Sequence, residues 1–345
     1  MELPVGSDST RLSYWLTSEF LLCLLSVLTS VTIASYLIWK YEGKDNTERA
    51  HNGEEWLPCW KGLSPVWLLA FRIIAFCLLL AVVIADVVTH GNNLFYYYTQ
   101  WTLMLTTIYF LFGSLLSACG CFWKVKIYNA RSIDIEAEQG IHASLIHAGK
   151  ERAVSQHGES YFLQKAPFWG HVFQIVYQMT AGAVMLTDGV YWIAIFPFLT
   201  LVEYEMGFLT VVVHSLNLVL LLGDTAINRL VALPSLICFT NVFPFPYIGT
   251  LKMISYSLFQ RFPWYRIAYF ILFTALYVIF EWIVHACTVT WWPYPFLNVS
   301  EHNAALWYWV VAILHLPCYA LFWLLVKVKY LILSRWFPES YACLR

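Results

Sequence analysis

Apolar residues in this chain come in long runs, without the alternating or one-faced patterns of a water-soluble fold. Seven runs approach or reach the ~20 mostly apolar residues that an α-helix needs to cross a bilayer core. They lie at about 19–40, 66–89, 95–121, 168–188, 206–224, 267–290 and 305–331. Polar stretches at 41–64 and 123–166 and a mixed stretch at 225–266 separate them, with short connectors elsewhere. The segment 231–258 is apolar enough to suggest an eighth span, but Pro234, Pro244 and Pro246 interrupt it. Each proline removes a helical hydrogen bond. The pattern predicts an all-α fold, a multi-pass transmembrane helical bundle of about seven spans, with 231–258 interfacial or re-entrant.

Composition strengthens the membrane reading. Of 345 residues, 60% are hydrophobic and 12% are charged, against about 25% charged in a typical soluble domain. A formal net charge of −1 excludes a globally basic nucleic-acid binder, so no nucleic-acid partner is expected. Nine cysteines are scattered without a CxxC pair or a His-Cys zinc spacing; they read as small core residues. Cys119 and Cys121 fall where a helix leaves the membrane, as ordinary interfacial thiols or as sites of reversible palmitoylation. The first apolar run follows a polar leader holding Glu2, Asp8, Arg11 and Glu19. It exceeds the roughly 7–15 residues of a signal-peptide core, and is expected to stay as a signal anchor.

Charge placement sets the orientation. With seven spans, one side receives Lys40, Lys44, Arg49 and Lys61, six basic residues between Lys124 and Lys165, four between Arg229 and Arg266, and four from Lys327 to Arg345. The other side receives Arg11 alone, and Arg72 lies one to two turns inside the second span. The positive-inside rule puts the basic loops and C-terminus in the cytosol and the N-terminus outside or in a lumen. The sequon at Asn298 falls on the outer side, and aromatic belts at Phe95 to Tyr98 and Trp291 to Phe296 mark outer ends. Endoplasmic reticulum and plasma membrane both accept spans of this length.

Ionisable groups at membrane depth are costly, and each is a candidate for function. They are Asp86, His171, His214, Glu281, His285 and His315, with Asp188, Glu203 and Glu205 near the outer interface. The plainer reading is that they hydrogen-bond between helices. His171 enters at the cytosolic end and drops out. Thr99, His214, Asp86, His285 and His315 all fall in the outer half or near the midplane, and Glu281 and His285 share a helical face at a spacing of four. Three roles fit such a cluster. A hydroxyl activated by an imidazole can attack an ester. His214, His285 and His315 can ligate a metal or haem, but the paired spacing of two bis-His haems is absent, and no cofactor or metal is expected. The third role is binding or transport without chemistry.

Several segments look familiar. Tyr98-Thr99-Gln100-Trp101-Thr102-Leu103, His214-Ser215-Leu216-Asn217 and Trp282-Ile283-Val284-His285 followed by Trp292-Pro293-Tyr294-Pro295-Phe296-Leu297 resemble spans of the FAR-17a/androgen-induced protein family. The rolling stone proteins are more distant relatives. The order of spans is similar across about 66–331, so that residues 1–65 read as a leader, an extra first span and a cytosolic loop, 66–331 as a six-span bundle with a cytosolic loop at 122–166, and 332–345 as a cytosolic tail. The first span and the long cytosolic loop resemble additions typical of the family's plant branch. Some family members are threonine hydrolases that cleave fatty acid esters of hydroxy fatty acids. The resemblance implies Thr99 as nucleophile and His214 as base, with Thr102 as the alternative hydroxyl; by their depth, Asp86, Glu281 and His285 are the candidate supporting polar groups. It also implies membrane lipids and a fatty-acyl ester as partners, and leaves the oligomeric state open. Two departures stand against it. The residues before His214 are Thr210-Val211-Val212-Val213, without the polar pair found in the hydrolases, and about 231–260 interrupts a short connector. That insertion is a lineage-specific loop or retained intron sequence, and its mixture of spaced prolines and apolar residues suits the second.

Overall fold

A computed structural model of the chain describes residues 9–42, 55–139, 145–197, 207–230, 263–288, 291–337 and 340, without the side chains of 126–167, Asn92 and Ala194. The described residues form an all-α bundle. Its principal helices are α1 (Ser18–Leu37), α2 (Pro65–His90), α3 (Tyr98–Gln139), α4 (Leu145–Val190), α5 (Phe208–Val213), α6 (Leu216–Ile227), α7 (Ile267–Cys287) and α8 (Ala304–Trp336). Local sequence sets their ends. Thr17 caps α1 by accepting from the Phe20 N–H at 3.2 Å, and Ser64 with Pro65 opens α2. Gly91, at φ 74°, closes α2 in a left-handed conformation that costs a glycine little.

Six stretches are long and apolar enough to cross a membrane: Ser18–Glu42, Pro65–His90, Tyr98–Val125, Phe208–Ile227, Trp264–Cys287 and Ala304–Trp336. They match six of the seven expected spans. The other, 168–188, is helical within α4 but is not among the six, because Gln174, Gln178, Thr180, Thr187 and Asp188 make it more polar. Those polar residues sit in a protein environment. From Thr180 to Asp188 every residue of α4 is buried, with Phe173 and Tyr177 stacking beside Tyr109 of α3. Large exposed side chains on α1, α2 and α8 are instead mostly Leu, Ile, Val and Trp, the surface a helix presents to hydrocarbon. The expected re-entrant stretch at 231–258, with the whole insertion at about 231–260, lies outside the described residues.

The span 206–224 also departs from an unbroken helix. It ends α5 at Val213 and restarts as α6 at Leu216. The His214 carbonyl at the break accepts from Trp192 Nε1 at 2.8 Å. An indole thus replaces the donor that a continuous helix would supply.

The two ends of the bundle are chemically distinct. At one, Glu42 Oε1 lies 2.7 Å from His171 Nε2 and 3.5 Å from the Arg266 guanidinium, while the Lys61 N–H donates to the Ser340 carbonyl at 2.6 Å. At the other, Tyr14 OH donates to Asn298 Oδ1 at 3.2 Å and accepts from Trp292 Nε1 at 3.3 Å.

Candidate functional site

Thr99 is buried in the first turn of α3, and its Oγ1 lies 3.5 Å from the Tyr294 hydroxyl. Burial pushes the Tyr294 phenol up to about 12, against a smaller lowering by Thr99, so this hydroxyl keeps its proton at neutral pH. His214 sits at the helix break, its ring flat on Tyr191 with centroids 3.6 Å apart. Its Nδ1 is buried and makes no hydrogen bond among the described residues. No hydrogen bond joins Thr99 to His214; each is held by its own neighbours. The alternative hydroxyl, Thr102, turns back onto its own helix and donates to the Tyr98 carbonyl at 3.2 Å.

The supporting residues divide similarly. Asp86 faces His90, whose Nδ1 is 2.8 Å from Oδ1, and accepts from the Gln100 amide. On α7 the spacing of Glu281 and His285 does bring them together, but mainly through the backbone. His285 Nδ1 meets the Glu281 carbonyl at 2.8 Å, with the carboxylate at 3.8 Å. The His285 ring lies on Trp292 at 3.6 Å between centroids. Both residues are fully buried, and the Glu281 carboxylate has no hydrogen bond among the described residues. Asp188 is buried, while Glu203 and Glu205 lie outside the described residues. Among the described residues, no three His, Cys, Asp or Glu are grouped to hold a metal.

Two polar chains were not expected from sequence. In the first, His315 Nε2 lies 2.8 Å from Thr274 Oγ1, which in turn is 2.8 Å from Tyr98 OH. His315 Nδ1 is 2.8 Å from the Val311 carbonyl. A carbonyl only accepts, so the proton sits on Nδ1 and leaves Nε2 as the acceptor for Thr274. This is the hydroxyl–imidazole contact the structure assembles. Its histidine was legible as an intramembrane group, but Thr274 was not, because one threonine in an apolar helix carries no signal of its own.

The second chain lies toward the other end. Arg72 Nε donates to Asp224 Oδ1 at 2.8 Å, with both side chains fully buried. Arg72 Nη1 reaches Ser117 Oγ at 2.7 Å, and the Gly113 and Glu55 carbonyls. Asp224 also accepts from Tyr109 OH and, at 2.7 Å, from Asn228 Nδ2. Lys329 Nζ donates to the Asn228 carbonyl at 2.6 Å. Four helices and a loop are joined through one ion pair. The signal was present as two opposite charges placed inside spans, each near the same end.

Fold and polar chains together define a multi-pass α-helical membrane protein whose buried polar groups bridge its helices. No protein-family model, curated protein or solved structure matches the chain.

Proposed function

We propose that the protein is a non-enzymatic membrane protein that contacts lipid and holds its helices in register through buried polar groups. Its seven spans include 168–188, with the N-terminus outside or lumenal and the tail in the cytosol. The observation that carries this reading is the partnering of Arg72 with Asp224, together with the separate engagement of Thr99 and His214. Groups buried at membrane depth and bonded across helices contribute to packing, on the order of 0.6 kcal/mol each and up to about 2. Polarity along α4 fits the same reading, since a helix enclosed by protein needs no lipid-compatible surface.

A second reading is supported by the 2.8 Å contact of Thr274 with His315 and by the family resemblance: a lipid-ester hydrolase. Thr274 Oγ1 would add to the ester carbonyl while its proton passes to His315 Nε2. The alcohol would leave with that proton. Water, deprotonated by the same nitrogen, would then release the fatty acid and restore Thr274. Here the hydroxyl and base are not the Thr99 and His214 implied by motif.

One experiment separates the readings. Purified protein is exposed to a fluorophosphonate probe, alongside Thr99→Ala, His214→Ala and Thr274→Val, and each variant is melted in detergent. The packing reading expects no specific labelling and a lower melting temperature for His214→Ala. Labelling that disappears in Thr274→Val but survives in Thr99→Ala overturns it in favour of the second. Loss in Thr99→Ala and His214→Ala alone returns the site to the motif-based pair.

A further inference from the structure

A cavity of about 280 Å³ opens between α1, α7 and α8. Ser30 contributes to its α1 wall, Thr274 and Ala275 to α7, and His315 to α8, while the exposed side chains of Ile33 and Leu316 stand among its lining. Its lining is otherwise almost wholly apolar, and among the described residues no Lys, Arg, Asp or Glu contributes to it. α1 closes one side of the cavity through Ser26, Val27, Ser30 and Ile33.

The three helices are long and apolar enough for a membrane, so hydrocarbon is the medium outside. An apolar cavity of this kind stays dry and takes apolar ligands. The polar atoms in its wall then select the head group. Thr274 shares its one proton between His315 Nε2 and, at 3.2 Å, the Phe270 carbonyl, and Tyr98 fills one lone pair of Oγ1. A hydroxyl oxygen has a second lone pair, which remains for an incoming donor. On the α8 wall, Pro317 offers no N–H to the carbonyl of Ile313, another lining residue. Both features are acceptors, and the absence of a cationic wall disfavours a carboxylate or phosphate head.

We infer that this cavity holds the chain of a single-chain lipid from the bilayer, whose neutral hydroxyl head donates to Thr274 Oγ1. The inference rests on the lipid-contact reading above and gives it a site and a ligand class. Full-length protein in lipid nanodiscs is photolabelled with a diazirine-bearing hexadecanol and, separately, with the matching diazirine alkane that lacks the hydroxyl. Adducts are mapped by mass spectrometry. The alcohol is expected to label α7 and α8 around the cavity in a saturable way, about two- to tenfold more than the alkane, the difference one hydrogen bond supplies. Thr274→Val should reduce the alcohol to the level of the alkane. Ser30→Phe, placed on the partly exposed α1 wall, should fill the cavity and lower both to the level of the other lipid-facing helices. Equal labelling by alcohol and alkane in the wild type overturns the head-group assignment, and indifference to Ser30→Phe overturns the cavity. Saturable labelling elsewhere removes this site while sparing the lipid-contact reading; no saturable labelling anywhere removes both.

Discussion

Arg72 and Asp224 each carry a formal charge into surroundings without water, where the cost of an unpaired ion is several kcal/mol. They are tolerated because each partner group of the guanidinium and the carboxylate is in place: Ser117, two carbonyls, Tyr109 and Asn228. Removing one member therefore exposes the other. Asp224→Ala is expected to cost about 3–5 kcal/mol of stability, read as loss of the folded fraction in a denaturation series in mixed micelles. The double variant Arg72→Met/Asp224→Leu should lose less than the sum of the two single changes, a coupling typical of residues in one network. Strict additivity would show that the pair does not act as a unit. Arg72 drew notice inside an apolar run, whereas Asp224, at the very end of the run 206–224, was not singled out. Their pairing was not legible, because 152 positions separate them and hydropathy carries no information about which helix faces meet. Thr99 and His214 illustrate the same limit from the other side. Similar depth suggested a pair, yet rotation about each helix gave them different neighbours, Tyr294 and Tyr191.

At the scale of elements, hydropathy located the helices because bilayer crossing demands length and apolarity, and six of the seven expected segments have both. What it missed are features that depend on enclosure. The central position of α4 is masked by its polar residues, which lower its hydropathy because protein, not lipid, surrounds them. The break after Val213 is similarly silent: no proline or glycine marks it, and the competing donor is Trp192, 22 positions away. Close helix packing inside membranes depends on small residues that let backbones approach. Gly182 on α4 is such a point, since a Cβ there would lie 2.6 Å from the buried Phe270 ring of α7. Gly182→Ala is expected to destabilise by about 1–3 kcal/mol through overpacking. Gly189, near the end of the same helix, has nothing within 4 Å of an added Cβ, so Gly189→Ala should be neutral or mildly stabilising. Equal melting temperatures for the two alanine variants would refute a tight α4–α7 contact.

For the molecule as a whole, the number of crossings fixes whether the two termini share a side. Six crossings return the tail to the side of the N-terminus, and seven separate them. Seven is the count proposed above, and two contacts bear on where the ends of the chain lie. The leader is tied through Tyr14 to Asn298, in the segment that precedes α8, whereas Ser340 after α8 is tied to Lys61 in the loop between α1 and α2. Leader and tail therefore sit at opposite ends of α1, and of α8 as well. Antiparallel neighbours along 168–190 are consistent with a crossing: Tyr177 bonds Thr225 at 2.8 Å, while Tyr191 stacks on His214 eleven positions earlier in the α5–α6 stretch. The charge bias of the sequence assigns Lys61 and the C-terminal tail to the same side. Short epitope tags at the two termini should then behave oppositely when cells or sealed microsomes are probed with antibody. The N-terminal tag is protected in microsomes, or is reached on intact cells if the protein lies at the surface, and the C-terminal tag shows the reverse. Matching accessibility of both tags would reduce the crossings to an even number, leaving 168–188 as a helix that enters the bundle without completing a passage.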